Sequence, residues 1–191
     1  RREHADPFDD MCRAGAHHAD LVADLDRAVD ALVEMKNLSE TAVGLAYSAI
    51  VLADRGLAAE VRHLEDLLGE MKDHLELWVL RSALGDVEPE QLRGLLHLAE
   101  AAEDIGDQAQ AMVWLVEKEE ELHPILEIAL GEAEEVVVRY PVASGCSADG
   151  VSLSDLGLNI EPGFTILAIR RGEGYLYQPR GKTRLTSGDE I

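Results

Sequence analysis

The sequence is poor in cysteine, lysine and aromatic residues. Among its 191 residues there are two cysteines and four lysines, against 38 aspartates and glutamates, and 4% of the residues are aromatic. Cys12 and Cys146 lie far apart, in segments of different composition, so the sequence implies no disulfide framework. We therefore expect a reduced, cytoplasmic protein.

The sequence also lacks a long apolar segment and a basic surface. Its longest nearly apolar run, residues 42–53, is far shorter than the roughly 20 residues that a membrane-spanning helix needs, and no signal-peptide pattern opens the chain. The formal net charge is −21, which disfavours nucleic acid and anionic membranes as partners. We expect neither nucleic-acid binding nor direct membrane insertion.

Motifs typical of enzymes are absent as well. The chain has no Gly-x-Ser-x-Gly motif, no P-loop and no dinucleotide-binding fingerprint. Cys146 has no evident base beside it, so a hydrolase is only a weak alternative. The histidines lack metal-ligand spacing, and the adjacent His17 and His18 would point about 100° apart on a helix. The sequence predicts a protein that is not an enzyme.

Charge divides the chain into two modules. Residues 1–138 contain 32 of the 38 acidic residues and 11 of the 17 basic residues, whereas the remaining residues contain six of each. We place the boundary between residues 135 and 136. The expected fold class is α+β, with a helical module over residues 1–135 and a small β-containing module over residues 136–191.

The first module has the periodicity of long amphipathic helices. Apolar residues recur at steps of three and four from Leu21 to Ala53, again from Leu57 to Leu84, and in a third helix that starts near Pro89. We expect an antiparallel bundle of three to four long helices, with residues 1–19 as a lead-in and a short last helix over residues 125–135. Small residues interrupt the third stripe and imply close helix contact; this stripe comprises Leu92, Leu95, Ala99, Ala102, Gly106, Ala109, Val113 and Val116.

The second module has short β-rich runs at residues 136–142, 164–171 and 174–179, separated by turn residues. An ordered series of residues runs through this module: Leu153, Leu156, Pro162, Gly163, Ile169, Arg170, Arg171, Pro179, Leu185, Gly188 and Asp189. The series resembles the TrkA-C lobe of RCK proteins, which binds regulatory ligands on potassium channels and transporters. The family's lobe continues with another strand, so we expect this one to be cut within it at Ile191.

This resemblance implies a small α/β lobe that pairs with a second copy, forming a homodimer or a higher homo-oligomer. In some relatives a small anionic ligand, such as a cyclic dinucleotide, binds at the dimer interface. Arg170 and Arg171 are the candidate ligand-binding residues, although neighbours on a strand point to opposite faces. The alternative is that they are exposed charges that offset Glu173, Asp189 and Glu190. No nucleotide-binding lobe precedes this one, so we do not expect NAD or ATP sensing.

The third helix contains an acidic group of four residues. With 100° per residue and Ala99 at zero, the apolar stripe centres near −20°. Glu103 lies at about 40°, Asp107 at about 80° and Glu100 at about 100°, on the border of the packed face, whereas Asp104 at about 140° should face solvent.

Residues 103–109, Glu-Asp-Ile-Gly-Asp-Gln-Ala, resemble the signature of PhoU domains, whose acidic motifs bind metal clusters on helical bundles. The resemblance makes Glu103 and Asp107, with Glu100 beside them, candidate ligands for iron, manganese or magnesium, and oxygen ligands suit such cations. The first helix departs from the family pattern, because Leu38 occupies the place of an acid and Lys36 lies beside the stripe. The alternative is that the acids pair with Lys36 or with water.

These features favour a cytoplasmic regulatory protein of a potassium channel or transporter, which senses a small ligand through a dimeric TrkA-C lobe. The alternative is a metal-binding, PhoU-like signalling module of phosphate control.

Overall fold

The first helix, α1, runs from Pro7 to Val51 in the computed structural model, which describes residues 7–82, 88–118, 128, 136–158 and 165–191. Side chains are described from residue 23 onward, except those of residues 24 and 82. Residues 7–19, which were expected as a lead-in, lie within this helix. Pro7 suits a first helical turn.

Helix α1 ends where the sequence predicts, and a short connection leads into helix α2, Arg55–Ser82. Ala53 adopts a left-handed conformation with φ of 49°. The Asp54 N–H donates to the carbonyl of Ala49 at 2.9 Å, the closing bond typical of helix C-termini. The Asp54 carboxylate then accepts the N–H of Leu57 at 3.0 Å and so caps the start of α2.

Helix α3 runs from Pro89 to Glu117, and the three helices pack as a bundle, as predicted. Pro89 occupies the first turn. Gly106 lies close to α2, because a Cβ built there would be 2.7 Å from Cδ1 of Leu68. The small residues of the α3 stripe therefore do mark close helix contact. The predicted stripe is buried at Leu92, Ala99, Ala102, Gly106, Ala109 and Val113.

Contacts divide the chain into two compact units that cut across the helices. One comprises Arg1–Ser39 with Leu64–Asp107, and the other comprises Glu40–His63 with Gln108–Ile191. In both, buried residues follow the three- and four-residue steps of helix packing. The first unit buries Ala28, Ala31, Met35, Leu38, Leu64, Leu68, Leu75, Val79, Leu92, Ala99 and Ala102. In the helical part of the second, the buried apolar residues are Ala42, Leu45, Ala46, Ala49, Ile50, Leu57, Ala58, Val61, Ala109 and Val113.

The lobe that follows the helices contains a two-stranded antiparallel hairpin. Strand β1, Ala168–Arg171, pairs with strand β2, Gly174–Tyr177, and both are shorter than predicted. The two-residue turn between them begins with Gly172, whose φ of 60° has the sign that a type II′ turn requires.

The last residues of the chain lie between β1 and residues 140–142. Arg170 and Glu190 exchange two backbone hydrogen bonds of 2.8 and 3.0 Å, and Tyr140 and Ile191 do the same at 2.8 and 3.0 Å. Residues 136–142 were predicted as a strand, but they form only an isolated bridge at Pro141. The hydrogen bonds around this bridge come from Tyr140 and Val142, the neighbours of Pro141, so the missing N–H of the proline leaves the bridge intact.

The core of the lobe is small. It consists of four buried side chains, Val142, Leu153, Ile169 and Leu185, with half-buried apolar residues around them. A core of this size stabilises a domain only weakly by itself.

Several predicted features lie wholly or largely outside the described residues. These are the helix over residues 125–135, the turn over residues 159–163 and the domain boundary at residue 135. They stay predictions. Among the described residues, no helix combines the length and apolar character needed to cross a membrane.

Candidate functional site

An acidic cluster lies on α3, where the sequence analysis places it. Carboxylate oxygens of Glu103, Asp104 and Asp107 all lie within 4.8 Å of one another. Asp104 is exposed, as predicted, yet it belongs to this cluster. Glu100 does not; its carboxylate lies 3.8 Å from Nδ1 of His97, one turn earlier on the helix.

A lysine from α2 pairs with the cluster. Nζ of Lys72 lies 2.9 Å from Oε2 of Glu103, and both side chains are largely buried. The hydrogen bond to Glu103 is the main reason why the pKa of Lys72 is raised. The sequence analysis expected a lysine beside these acids but named Lys36 of α1. The ammonium that reaches Glu103 comes from the neighbouring helix instead.

Helix α2 also contributes a fourth carboxylate, which the sequence analysis missed. Burial raises the pKa of Glu65, and the negative charges of Asp66, Asp107 and Glu103 raise it further, as does a hydrogen bond with Asp107. Glu65 adjoins Leu64 of the buried α2 stripe and lies seven residues before Lys72. A search of the stripe borders on α2 would have found both residues.

The donor set of this acidic cluster fits a hard cation. The three clustered carboxylates of α3, with Glu65 of α2 beside Asp107, offer oxygen ligands only, the chemistry that magnesium, manganese and iron accept. The ammonium of Lys72 partly neutralises the same charge. A metal bound here would have to compete with Lys72 for Glu103.

The two arginines predicted to bind a ligand are engaged with carboxylates of their own lobe. Arg171 forms a two-pronged ion pair with Asp189, with distances of 2.8 and 2.7 Å, and also donates to the carbonyl of Arg184 at 2.8 Å. Asp189 is 1% exposed and accepts two further hydrogen bonds from Thr186. The hydrogen bond from Arg171 is the main reason why the pKa of Asp189 is lowered, against the opposing effect of burial.

Arg170 points to a different partner. Its Nε donates to Oε2 of Glu190 at 2.8 Å. Neighbouring arginines on a strand point to opposite faces, and their partners, the neighbouring residues Asp189 and Glu190, alternate in the same way. Both arginines therefore balance the charge of acidic residues in the lobe, which is the alternative that the sequence analysis gave. Their role in ligand binding stays a prediction.

A groove with basic residues lies beside the hairpin. It has a volume of about 450 Å³ and is lined by residues 176–180, 182 and 183. Arg180 and Lys182 are exposed on this groove, and none of the residues that the structure describes forms an ion pair with either. Tyr177 also lines it, and its hydroxyl donates to the carboxylate of Glu60 on α2.

The remaining candidates are not brought together. Cys146 is exposed and forms no disulfide. His63 is exposed, and the ring of His74 lies 6.1 Å from that of Trp78. The side chains of His17, His18 and His123 lie outside the described residues.

Comparison with protein families identifies both modules. A model of the PhoU domain matches residues 32–115, and a model of the TrkA-C domain matches residues 137–191. No curated protein matches the chain. Both domains are regulatory rather than catalytic, and they match the two modules that the sequence predicts. The chain therefore joins a PhoU domain to a TrkA-C domain.

Proposed function

We propose that this chain is a cytoplasmic, non-catalytic regulator of a potassium channel or transporter. The observation that carries the proposal is the TrkA-C domain over residues 137–191, a domain that suggests regulation of potassium transport. The PhoU domain supplies the helical module that precedes this lobe. The chain acts by binding, and no reaction is required of it.

The lobe senses a small anion in the basic groove. Arg170 and Arg171 already pair with carboxylates, so Arg180 and Lys182 are the cations best placed to meet phosphate oxygens. A ligand in the groove would also touch Tyr177, whose hydroxyl contacts Glu60 on α2. Binding would thus act on a residue that joins the lobe to a helix, which is what regulation by a ligand requires.

Pairing with a second copy is part of the proposal. The lobe has a small core, and α3 exposes Leu98 and Ile105, one heptad apart, by 58% and 43% of their surfaces. Burying such side chains against a second copy would remove apolar surface from water. We expect a homodimer by light scattering after size-exclusion chromatography.

Deleting the gene in its own organism tests the proposed pathway. We expect the rate of rubidium-86 uptake at limiting potassium to change, with phosphorus-32 phosphate uptake unaffected, and the full-length gene to restore the wild-type rate. If only phosphate uptake changes, the proposal is wrong and the PhoU domain defines the pathway.

Ligand binding in the groove is tested with cyclic di-AMP as the probe. Each hydrogen bond to a charged group contributes about 1.5–3 kcal/mol, so removing one cation should weaken binding roughly tenfold or more. We expect Arg180→Gln with Lys182→Gln to abolish calorimetrically detectable binding. Arg93→Gln, an exposed arginine of α3, is the control. Loss of binding in Arg170→Gln, with the groove variant unaffected, would instead favour the arginine predicted from the sequence.

A metal-binding signalling module of phosphate control is the second candidate. The four carboxylates of Glu65, Glu103, Asp104 and Asp107 favour it. A bound divalent cation would neutralise these charges. Glu103 and Asp107 would be its central ligands, and Lys72 would compete with it for Glu103.

This competition gives a specific expectation for manganese binding. Lys72→Met should raise the affinity for Mn²⁺ about tenfold, because it removes a charge that occupies Glu103. The double variant Glu103→Gln, Asp107→Asn should abolish binding, and Lys118→Met serves as the control for loss of a lysine. Titration calorimetry with elemental analysis measures both effects. Absence of stoichiometric Mn²⁺ in wild type and in Lys72→Met would rule out this function.

A further inference from the structure

The TrkA-C lobe contacts the helices at three points within one compact unit, one on α1, one on α2 and one on the connection between them. Leu167 lies over Gly44, where a Cβ would be 2.8 Å from its Cδ2. The hydroxyl of Tyr177 donates to Glu60. The third point is an ion pair between Arg139 of the lobe and Asp54.

Arg139 lies between two carboxylates. Its Nη2 pairs with Asp54 on the helical side, and its Nε lies 3.7 Å from Oε1 of Glu190 in the lobe. The other oxygen of Glu190, Oε2, accepts a hydrogen bond from Arg170. The four residues form a continuous row of alternating charge, Asp54, Arg139, Glu190 and Arg170.

Asp54 connects this row to the start of α2. One of its oxygens caps the N–H of Leu57 at 3.0 Å, while the other pairs with Arg139. The Arg139–Asp54 pair therefore helps to hold the lobe on the first turn of α2, together with the contacts of Leu167 and Tyr177. Glu190 lies within reach of Arg139 and can compete with Asp54 for it.

We propose that the row is an electrostatic latch, in which Arg170 occupies Glu190 and thereby leaves Arg139 to Asp54. If Arg170 is neutralised or its ion pair is screened, Glu190 turns to Arg139 and competes with Asp54, and the lobe leaves the helices. The Arg170 side chain is 50% exposed, compared with 34% for Arg139 and 23% for Asp54. Salt therefore weakens the Arg170–Glu190 pair first, because exposed charges are screened more than buried ones.

The latch responds to the ionic strength around the protein. Its use in controlling potassium transport rests on the proposed function, whereas the latch itself does not. Purified protein is enough to test it, so failure of the transport experiments would leave this inference standing.

Thiol labelling at Leu167 measures how often the lobe leaves the helices. The reporter is Leu167→Cys in a chain that also has Cys12→Ser and Cys146→Ser. Arg170→Gln should raise the labelling rate about two- to fivefold, the range expected for loss of a partly exposed ion pair. Adding Glu190→Gln should return the rate to that of wild type, because no competing carboxylate remains.

Two further variants sharpen the test. Asp54→Asn keeps a good helix cap but removes the charge, so it should raise the rate by itself and make Arg170→Gln without further effect. Raising KCl from about 0.05 to about 0.5 M, which shortens the screening length severalfold, should raise the rate in wild type but not in Asp54→Asn.

The controls separate latch opening from unfolding. Glu173→Gln, in the exposed turn of the lobe, should leave the rate unchanged, and a Leu153→Cys reporter in the lobe core should label equally slowly in every variant. If Arg170→Gln has no effect, or if Glu190→Gln fails to reverse it, Arg170 does not act through Glu190 and the latch is refuted.

Discussion

Leu68→Ala is expected to lower the free energy of unfolding by about 3 kcal/mol, within the 2–5 kcal/mol usual for large-to-small changes in a core. Leu68 is fully buried on α2, and its Cδ1 lies over Gly106 of α3. Truncation removes the apolar contacts of three carbons and leaves a cavity between two helices. Urea unfolding followed by far-ultraviolet circular dichroism measures the loss.

A second variant, Gly106→Ala, tests the contact between Leu68 and Gly106 more specifically. Gly106→Ala alone should cost about 1 kcal/mol, because overpacking against Leu68 exceeds the gain of about 1 kcal/mol from replacing a helical glycine. In the double variant the new methyl group enters the space that Leu68 vacates. The two changes together should therefore cost about 1–2 kcal/mol less than their sum.

The matched control is Gly94→Ala. A Cβ at Gly94 would have no neighbour within 4 Å, so this variant should be stabilised by about 1 kcal/mol through helix propensity alone. Additive effects of Leu68→Ala and Gly106→Ala would show that the two residues do not share the space between the helices.

The helices could be predicted because the residues that pack together recur every three or four positions along the chain. The α3 stripe from Leu92 to Val113 follows the three- and four-residue steps closely, and its small residues correctly indicate close contact. The start of α1 lies before the stripe that was taken from Leu21. The apolar positions of residues 7–19, such as Phe8, Met11 and Cys12, are followed mainly by alanines, which mark a packed face only weakly.

The acidic cluster could be only half predicted. Angles around α3 placed Glu103 and Asp107 correctly on the border of the packed face, because they depend on one helix alone. Glu65 and Lys72 come from α2, and their height relative to Glu103 depends on how the two helices are offset along their axes. Periodicity within each helix does not contain that offset.

The lobe shows the same limit. Alternation along β1 correctly separated Arg170 from Arg171. The partners of the two arginines are 18 and 20 residues away, in a segment that lies beside β1 only in the folded lobe. The opposite signs of Arg171 and Asp189 allowed the pair, but only the order of the chain segments in the lobe brings the two charges together.

Arg171→Met is expected to destabilise the TrkA-C lobe by about 2–3 kcal/mol. Removing one partner of a buried ion pair costs about 3–5 kcal/mol, and the lower value applies because the Arg171 side chain is 43% exposed. The variant leaves the carboxylate of Asp189, which is 1% exposed, without its counter-charge. Hydrogen exchange of the β1 and β2 amides measures the opening of the lobe, and Arg180→Met, an exposed arginine, should change it by less than about 0.5 kcal/mol.

Combining Arg171→Met with Asp189→Asn separates the lost charge from lost packing. With the buried charge removed as well, the double variant should be less destabilised than the sum of the two single variants, because each single variant leaves an unpaired ion and the double variant leaves none. Thr186 can still donate to the amide oxygen of the asparagine in place of the carboxylate. A strictly additive result would mean that Arg171 stabilises the lobe through its contacts rather than through its charge.

Acidification should weaken the lobe in a way that depends on Arg171. In wild type the pKa of Asp189 is lowered from the ordinary value of 3.8, so the ionised form is stabilised by folding. This contribution is fully present above the unfolded-state pKa and is lost as the pH falls through the folded-state value. In Arg171→Met, burial would instead raise the pKa of Asp189, and ionisation would then oppose folding, so this variant should gain stability relative to wild type as the pH is lowered. Parallel pH profiles for the two proteins, measured by amide exchange between about pH 3 and pH 7, would contradict the assignment of the shift to Arg171.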